Sequence, residues 1–218
     1  MLPPVLALST SPLLQDVALE SLLSFFKELV MSNTAVFSEL LSSLESRITP
    51  DASMTKQSLY NLSKCIAVIS ASTNASDREQ VVRHLISTLE NNGPNTNDVM
   101  RVQLALLTLG ELGQRIDLSQ MSDIAGKLTA ICLQFFESSS EDVKHAASYA
   151  LGRSAVGGMS TFLPPILTAL ESAVKKKRYL LLTALKELIV CHQLNRVDMS
   201  SSIPQVFPRT FCSQALHK

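Results

Sequence analysis

Along the chain, apolar residues recur every three or four positions over stretches of roughly ten to eighteen residues, separated by short polar breaks, a period that predicts amphipathic helices. Nothing reads as a strand. Ser11-Pro12 predicts a helix start, with Ser as cap and Pro as the first helical residue; Ser76-x-x-Glu79 and the overlapping Ser138-x-x-Glu141 and Ser139-x-x-Asp142 predict two more. Asn91-Asn92-Gly93-Pro94 predicts a stop, because Gly takes the left-handed conformation that closes a helix and Pro cannot continue one.

Five of these segments align without gaps: LLSFFKELV, LYNLSKCIAV, ALLTLGELG, ASYALGRSAV and LLTALKELIV, with Lys27, Lys64, Gly110, Gly152 and Lys186 in register. Five positions before that register point stand Leu22, Leu59, Ala105, Ala147 and Leu181. One before it stand Phe26, Ser63, Leu109, Leu151 and Leu185, and two after it Leu29, Ile66, Leu112, Ser154 and Leu188. The i, i+4, i+7 spacing puts a stripe on the same face of each helix. Between them lie other apolar-striped segments: 35–47, 78–90, 120–137 and 159–173, the last carrying Pro164-Pro165. Alternating A and B helices with a unit of roughly 34 to 47 residues mark an α-solenoid of HEAT or armadillo-like repeats. The fold class is therefore all-α. The array is expected over residues 1–194 as about five helix pairs, the first incomplete, followed by a divergent, poorly ordered tail at 195–218.

Composition agrees with helices. The chain has 35 Leu and 29 Ser among 218 residues, only 5% aromatic residues and seven Gly. Nineteen basic residues balance nineteen acidic ones, so the electrostatic footprint of a nucleic-acid binder is missing. No apolar run approaches the roughly 18 residues that span a bilayer, and the start of the chain lacks the basic region of a signal peptide. Cys65, Cys132, Cys191 and Cys212 show no paired spacing and read as isolated thiols of a reduced cytoplasmic or nuclear protein.

Candidate chemistry changes the picture little. Lys175-Lys176-Lys177-Arg178 falls at a helix junction and reads as a solvated basic turn. LGELG lacks the preceding strand of a dinucleotide loop, and its partial recurrence as LGRSA points to packing. His84, His145, His192 and His217 are scattered, with no catalytic constellation around them. No catalytic, cofactor or metal site is assigned, and no small-molecule substrate is expected. The B-helix face away from the apolar stripe is instead the candidate protein-contact surface: Lys27 and Glu28, Asn61 and Lys64, Glu111, His145, Tyr149 and Arg153, and Tyr179, Lys186 and Glu187. Tyr and Arg are the types enriched at interaction hot spots. A solvated helix face carries the same residue types, and both readings stay open.

Whole segments also resemble a known family. SPLLQDVALESLLSFFKELV, TKQSLYNLSKCIAVI, RVQLALLTLGELGQRIDLS, SSSEDVKHAASYALGRSAVG and KKRYLLLTALKELI resemble consecutive HEAT repeats of the cullin-associated neddylation-dissociated proteins, in order, from about residue 11 to 190. The resemblance implies a scaffold without enzymatic activity that wraps a cullin bound to its RING subunit and lets cullin-RING ubiquitin ligases exchange substrate receptors. The chain departs from the family in length and after about Leu194, which implies a truncated or partial member. Other HEAT-repeat scaffolds, such as nuclear transport receptors and phosphatase regulatory subunits, share the architecture.

Overall fold

The computed structural model describes residues 2–48 and 54–195. Among these, ten α-helices follow one another: α1 (Leu2–Leu8), α2 (Asp16–Met31), α3 (Phe37–Glu45), α4 (Lys56–Ser72), α5 (Ala75–Asn92), α6 (Val99–Gly113), α7 (Ile124–Phe135), α8 (Glu141–Gly157), α9 (Met159–Ser172) and α10 (Lys175–Asn195). One 3-10 turn, Leu118–Gln120, links α6 to α7.

All five aligned segments fall inside the even-numbered helices, and α3, α5, α7 and α9 occupy the intervening stretches. The even helices form one layer, in which α2, α4, α6, α8 and α10 each pack on the next; in the other layer α5 packs on α7 and α7 on α9. This is a two-layer array of helix pairs, an α-solenoid with HEAT-like repeats. The predicted stripe forms its core: of its fifteen positions all but the partly buried Leu29 are buried. The expected tail lies outside the described residues except for Asn195.

Local signals were legible in type but shifted in place. Asn74 rather than Ser76 caps α5, its Oδ1 accepting from Asp77 N at 2.9 Å while its amide donates to the Asp77 carboxylate at 2.8 Å. Ser140 rather than Ser138 or Ser139 caps α8; Ser138 is buried and its Oγ accepts from Ser140 N, so it shapes the turn leading into the helix. Ser11-Pro12 starts no helix. It lies in the loop between α1 and α2, where Asn61 of α4 claims the Ser11 and Leu14 carbonyls. The stop at Gly93 is as expected, with φ of 67° and its N–H on the Leu89 carbonyl. Pro164 and Pro165 sit inside α9, where neither can donate the usual backbone hydrogen bond.

Candidate functional site

The B helices owe their mutual geometry to small residues at the register point. A Cβ on Gly110 would lie 2.9 Å from Ala150 Cα, one on Gly113 would lie 2.7 Å from Ser154 Cα, and one on Gly152 would strike the Ala184 carbonyl. Glycine is thus required at these crossings, because any side chain would push α8 off α6 or α10 off α8. The contacts also show which helical positions serve which neighbour. The register point and the third residue after it face the following B helix; positions two and three before it, and one and two after it, face the preceding one.

That assignment corrects the candidate contact surface. Asn61 and Glu111 are 0% exposed and Tyr149 is 8% exposed, so none presents its side chain to a partner as expected. A B helix in the array is flanked on both sides, and polar positions opposite its apolar stripe fall under the preceding helix. Lys27, Glu28, His145, Tyr179 and Lys186 are exposed, and Lys64, Arg153 and Glu187 are partly exposed.

The buried polar residues meet in one network. Glu111 Oε2 accepts from Arg115 Nη1 at 2.6 Å and from Gln114 Nε2 at 3.2 Å; its Oε1 accepts from Tyr149 Oη and, at 3.2 Å, from Arg153 Nη1. Arg153 Nη1 also donates to Gln114 Oε1 at 2.6 Å, and its guanidinium stands 4.4 Å from the centre of the Tyr149 ring. Arg153 Nε faces Glu187 Oε2 at 3.5 Å, an ion-pair contact without a hydrogen bond. Two acids and two arginines thus join α6, α8 and α10. Burial pushes the Glu111 carboxyl up, but Arg115, Arg153 and the Tyr149 hydroxyl together outweigh it and hold the group below the usual carboxylate range. Burial, with Glu111 close by, pushes the Tyr149 hydroxyl up, so it acts as a donor.

Above this network the B layer carries a groove of about 290 Å³. Its floor is Gln103 and Leu107 of α6; Lys56, Leu59 and Tyr60 of α4 form one wall, Asp142, His145, Ala146 and Tyr149 of α8 the other, and Thr183 and Glu187 of α10 close the far end. The rings of Tyr60 and Tyr149 meet edge to face at 5.3 Å, and Lys56 pairs with Asp142 at 2.5 Å. These contacts join α4 to α8 over the intervening α6. His145 makes a further edge contact with Tyr179 at 6.3 Å. All three tyrosines of the chain therefore lie in the B layer, Tyr60 and Tyr149 lining the groove and Tyr179 against His145 of its wall.

Of the candidates, Glu111, Tyr149, Arg153 and Glu187 converge, His145 and Tyr179 pair beside them, and Lys27, Glu28, Lys64 and Lys186 are spread along the layer. Lys56, Tyr60 and Asp142 line the groove without having been among the candidates. Tyr60 was within reach, because it stands one turn before Lys64 on the side left open by the stripe. Lys56 and Asp142 gave no local signal, since their pairing joins helices two places apart.

Among the described residues no three His, Cys, Asp or Glu side chains gather as a metal site would require. Cys65, Cys132 and Cys191 are buried free thiols, the first two pushed up to about 12 by burial, so they are protonated and unreactive at neutral pH. Among the described residues no helix is long and apolar enough to cross a membrane.

No family model matches the chain. It is 39% identical over 205 residues, 93% of its length, to Cullin-associated NEDD8-dissociated protein 1 of Arabidopsis thaliana, and 38% identical over 192 residues, 87% of its length, to the protein of the same name in Dictyostelium discoideum. Those matches cover 16% and 15% of the two relatives, so the chain spans about one sixth of their length. A C-terminal part of Cullin-associated NEDD8-dissociated protein 1 from Emericella nidulans is 36% identical over 107 residues, 49% of this chain and 10% of that protein.

Proposed function

We propose that this chain, homologous over most of its length to Cullin-associated NEDD8-dissociated proteins, is a non-enzymatic segment of HEAT-like scaffold that contacts a cullin bound to its RING subunit. The observation that carries this reading is the identity to those relatives across 93% of the chain. The grooved face of the B layer supplies a fitting surface. Its groove offers aromatic edges, one cation and two carboxylates, a mixed lining that suits a protein side chain better than a nucleic acid. In this reading the chain works in the cytoplasm or nucleus and takes part in assembling cullin-RING ligases and exchanging their substrate receptors.

The test is retention of a purified cullin-RING subunit complex on the immobilised 218-residue chain. Retention is expected, and His145→Glu, an exposed groove-wall substitution, is expected to weaken it while leaving the far-UV circular dichroism unchanged. If a longer relative retains the cullin and this chain does not, the reading fails.

A further inference from the structure

The groove over α6 is lined with more negative than positive charge. Asp142 and Glu187 stand on its wall and at its far end, against Lys56 alone on the opposite wall. Both acids are loosely held. The Lys56 side chain that meets Asp142 is 76% exposed, which makes that pair weak, and Glu187 meets Arg153 Nε at 3.5 Å without a hydrogen bond. Tyr60 feels the surplus: burial pushes its hydroxyl up, and Glu187, Glu111 and Asp142 add to that against the pull of Arg153 alone. The α10 residues of the groove, Thr183 and Glu187, hold positions three before and one after the register point, which face back toward α8. The groove therefore lies within the array and not on its end face.

Beneath the groove the chain shows how such a set holds a guanidinium. Arg153 stands 4.4 Å from the centre of the Tyr149 ring, donates to Glu111 Oε1 at 3.2 Å and lies beside Glu187. The groove offers the same combination in its opening, with Tyr60 as the ring and Asp142 and Glu187 as the acids, and no arginine of the chain lines it. A planar guanidinium can lie on a ring and pair with carboxylates at once, which the compact ammonium of a lysine does less well.

We propose that the groove receives an arginine side chain of the protein partner, its guanidinium laid on the Tyr60 ring and paired with Asp142 and Glu187. This rests on the reading of the chain as a scaffold that contacts a cullin bound to its RING subunit. A volume of about 290 Å³ lies at the small end of ligand pockets, so it suits one long side chain better than a folded ligand. Lys56 is the competitor inside the chain. Its ammonium pairs with Asp142, and it swings aside when the arginine enters.

Fluorine NMR of the full chain, labelled with 3-fluorotyrosine at its three tyrosines, tests this. The probe is the tripeptide N-acetyl-Gly-Arg-Gly-amide, titrated at constant ionic strength beside the same peptide carrying citrulline or lysine in place of arginine. Tyr60→Phe and Tyr179→Phe assign the signals. The Tyr60 and Tyr149 resonances are expected to shift with the arginine peptide, Tyr179 to move least, and neutral citrulline to leave all three in place. Asp142→Asn and Glu187→Gln are each expected to weaken the arginine peptide about threefold to fivefold, and Lys56→Gln to strengthen it, a gain that a merely structural role would not give. These changes keep the shape of the groove, whereas His145→Glu removes a ring from its wall; far-UV circular dichroism checks that each variant is folded. No shift up to the solubility limit of the arginine peptide overturns the inference, as does an equal response to citrulline, and an equal response to lysine overturns the assignment to arginine. The titration needs no cullin, so the two failures separate. A chain that responds to the arginine peptide but does not retain the cullin-RING complex sinks the cullin reading and upholds the ligand chemistry of the groove. A chain whose Asp142→Asn and Glu187→Gln variants retain the complex as well as wild type upholds the reading and overturns the arginine contact.

Discussion

The junction between α2 and α4 and the pair of junctions joining α6, α8 and α10 bury polar groups in the same helical register by different chemistry. At the first, Asn61 is satisfied as a neutral amide: its Nδ2 donates to the Ser11 and Leu14 carbonyls at 3.0 and 2.9 Å, and its Oδ1 accepts from Gln57 at 2.9 Å. At the second, glycines draw the helices together and a charged network fills the polar positions, with Glu111 at its centre. A buried amide costs little when its hydrogen bonds are made, whereas a buried carboxylate must keep its cations or lose several kcal/mol. Both junctions specify one stacking register, but only the second ties that register to ionisation.

The largest expected effect tests whether both layers share one core. Leu109 and Leu151 are fully buried between the layers in the glycine-rich half. Leu109→Asp or Leu151→Asp leaves an uncompensated charge there and is expected to cost about 3–5 kcal/mol in urea unfolding followed by circular dichroism. A loss no greater than that of an exposed-face substitution would show that the stripe is not the core.

Next comes the charged network itself. Glu111→Ala leaves Arg115 without its carboxylate and Arg153 with only Gln114 and Glu187, and is expected to cost about 3 kcal/mol, whereas Glu111→Gln, which keeps some of the hydrogen bonds, should cost less. The carboxyl of Glu111 is held below its unfolded value, so its stabilisation is present above the unfolded carboxylate range and is lost as pH falls through the lowered folded value. The wild-type chain should therefore lose more stability than Glu111→Gln between neutral pH and the acid limb of the profile. Parallel pH profiles for the two proteins would mean that the network does not hold Glu111 ionised.

Asn61→Ala is the matching test of the neutral junction. It leaves the Ser11 and Leu14 carbonyls without this donor and is expected to cost about 1–2 kcal/mol, with the same pH profile as wild type. A pH-dependent loss here would erase the contrast between the junctions.

These residues also mark where sequence reading stops. Fifteen stripe positions could be placed because a helix's own period shows which face is apolar, and the glycine stop at Gly93 because its cause is local. The burial of Asn61, Glu111 and Tyr149 was hidden for the opposite reason. Each is polar and lies off the stripe, and beside any local partner each is held by Ser11, Leu14 or another B helix far along the chain. The pattern of one helix shows one buried side; only the array shows that an interior B helix has neighbours on two more. The signal that did exist was glycine at the register point, since Gly110 and Gly152 announce a close approach on a side that the polar residues made look open.

The smallest expected effect separates stacking from contact. Lys27 occupies the same register point as Gly110 and Gly152, yet it is exposed and makes no ion pair among the described residues. Lys27→Ala is therefore expected to shift stability by less than about 0.5 kcal/mol in the same urea titration. If stability falls by as much as it does in Asn61→Ala, Lys27 is part of the α2–α4 junction and the neutral junction is incompletely described. If stability holds while retention of the cullin-RING complex drops, the α2 end of the layer belongs to the partner surface. That outcome would extend the surface beyond the groove, into the half of the array where the charged network is missing.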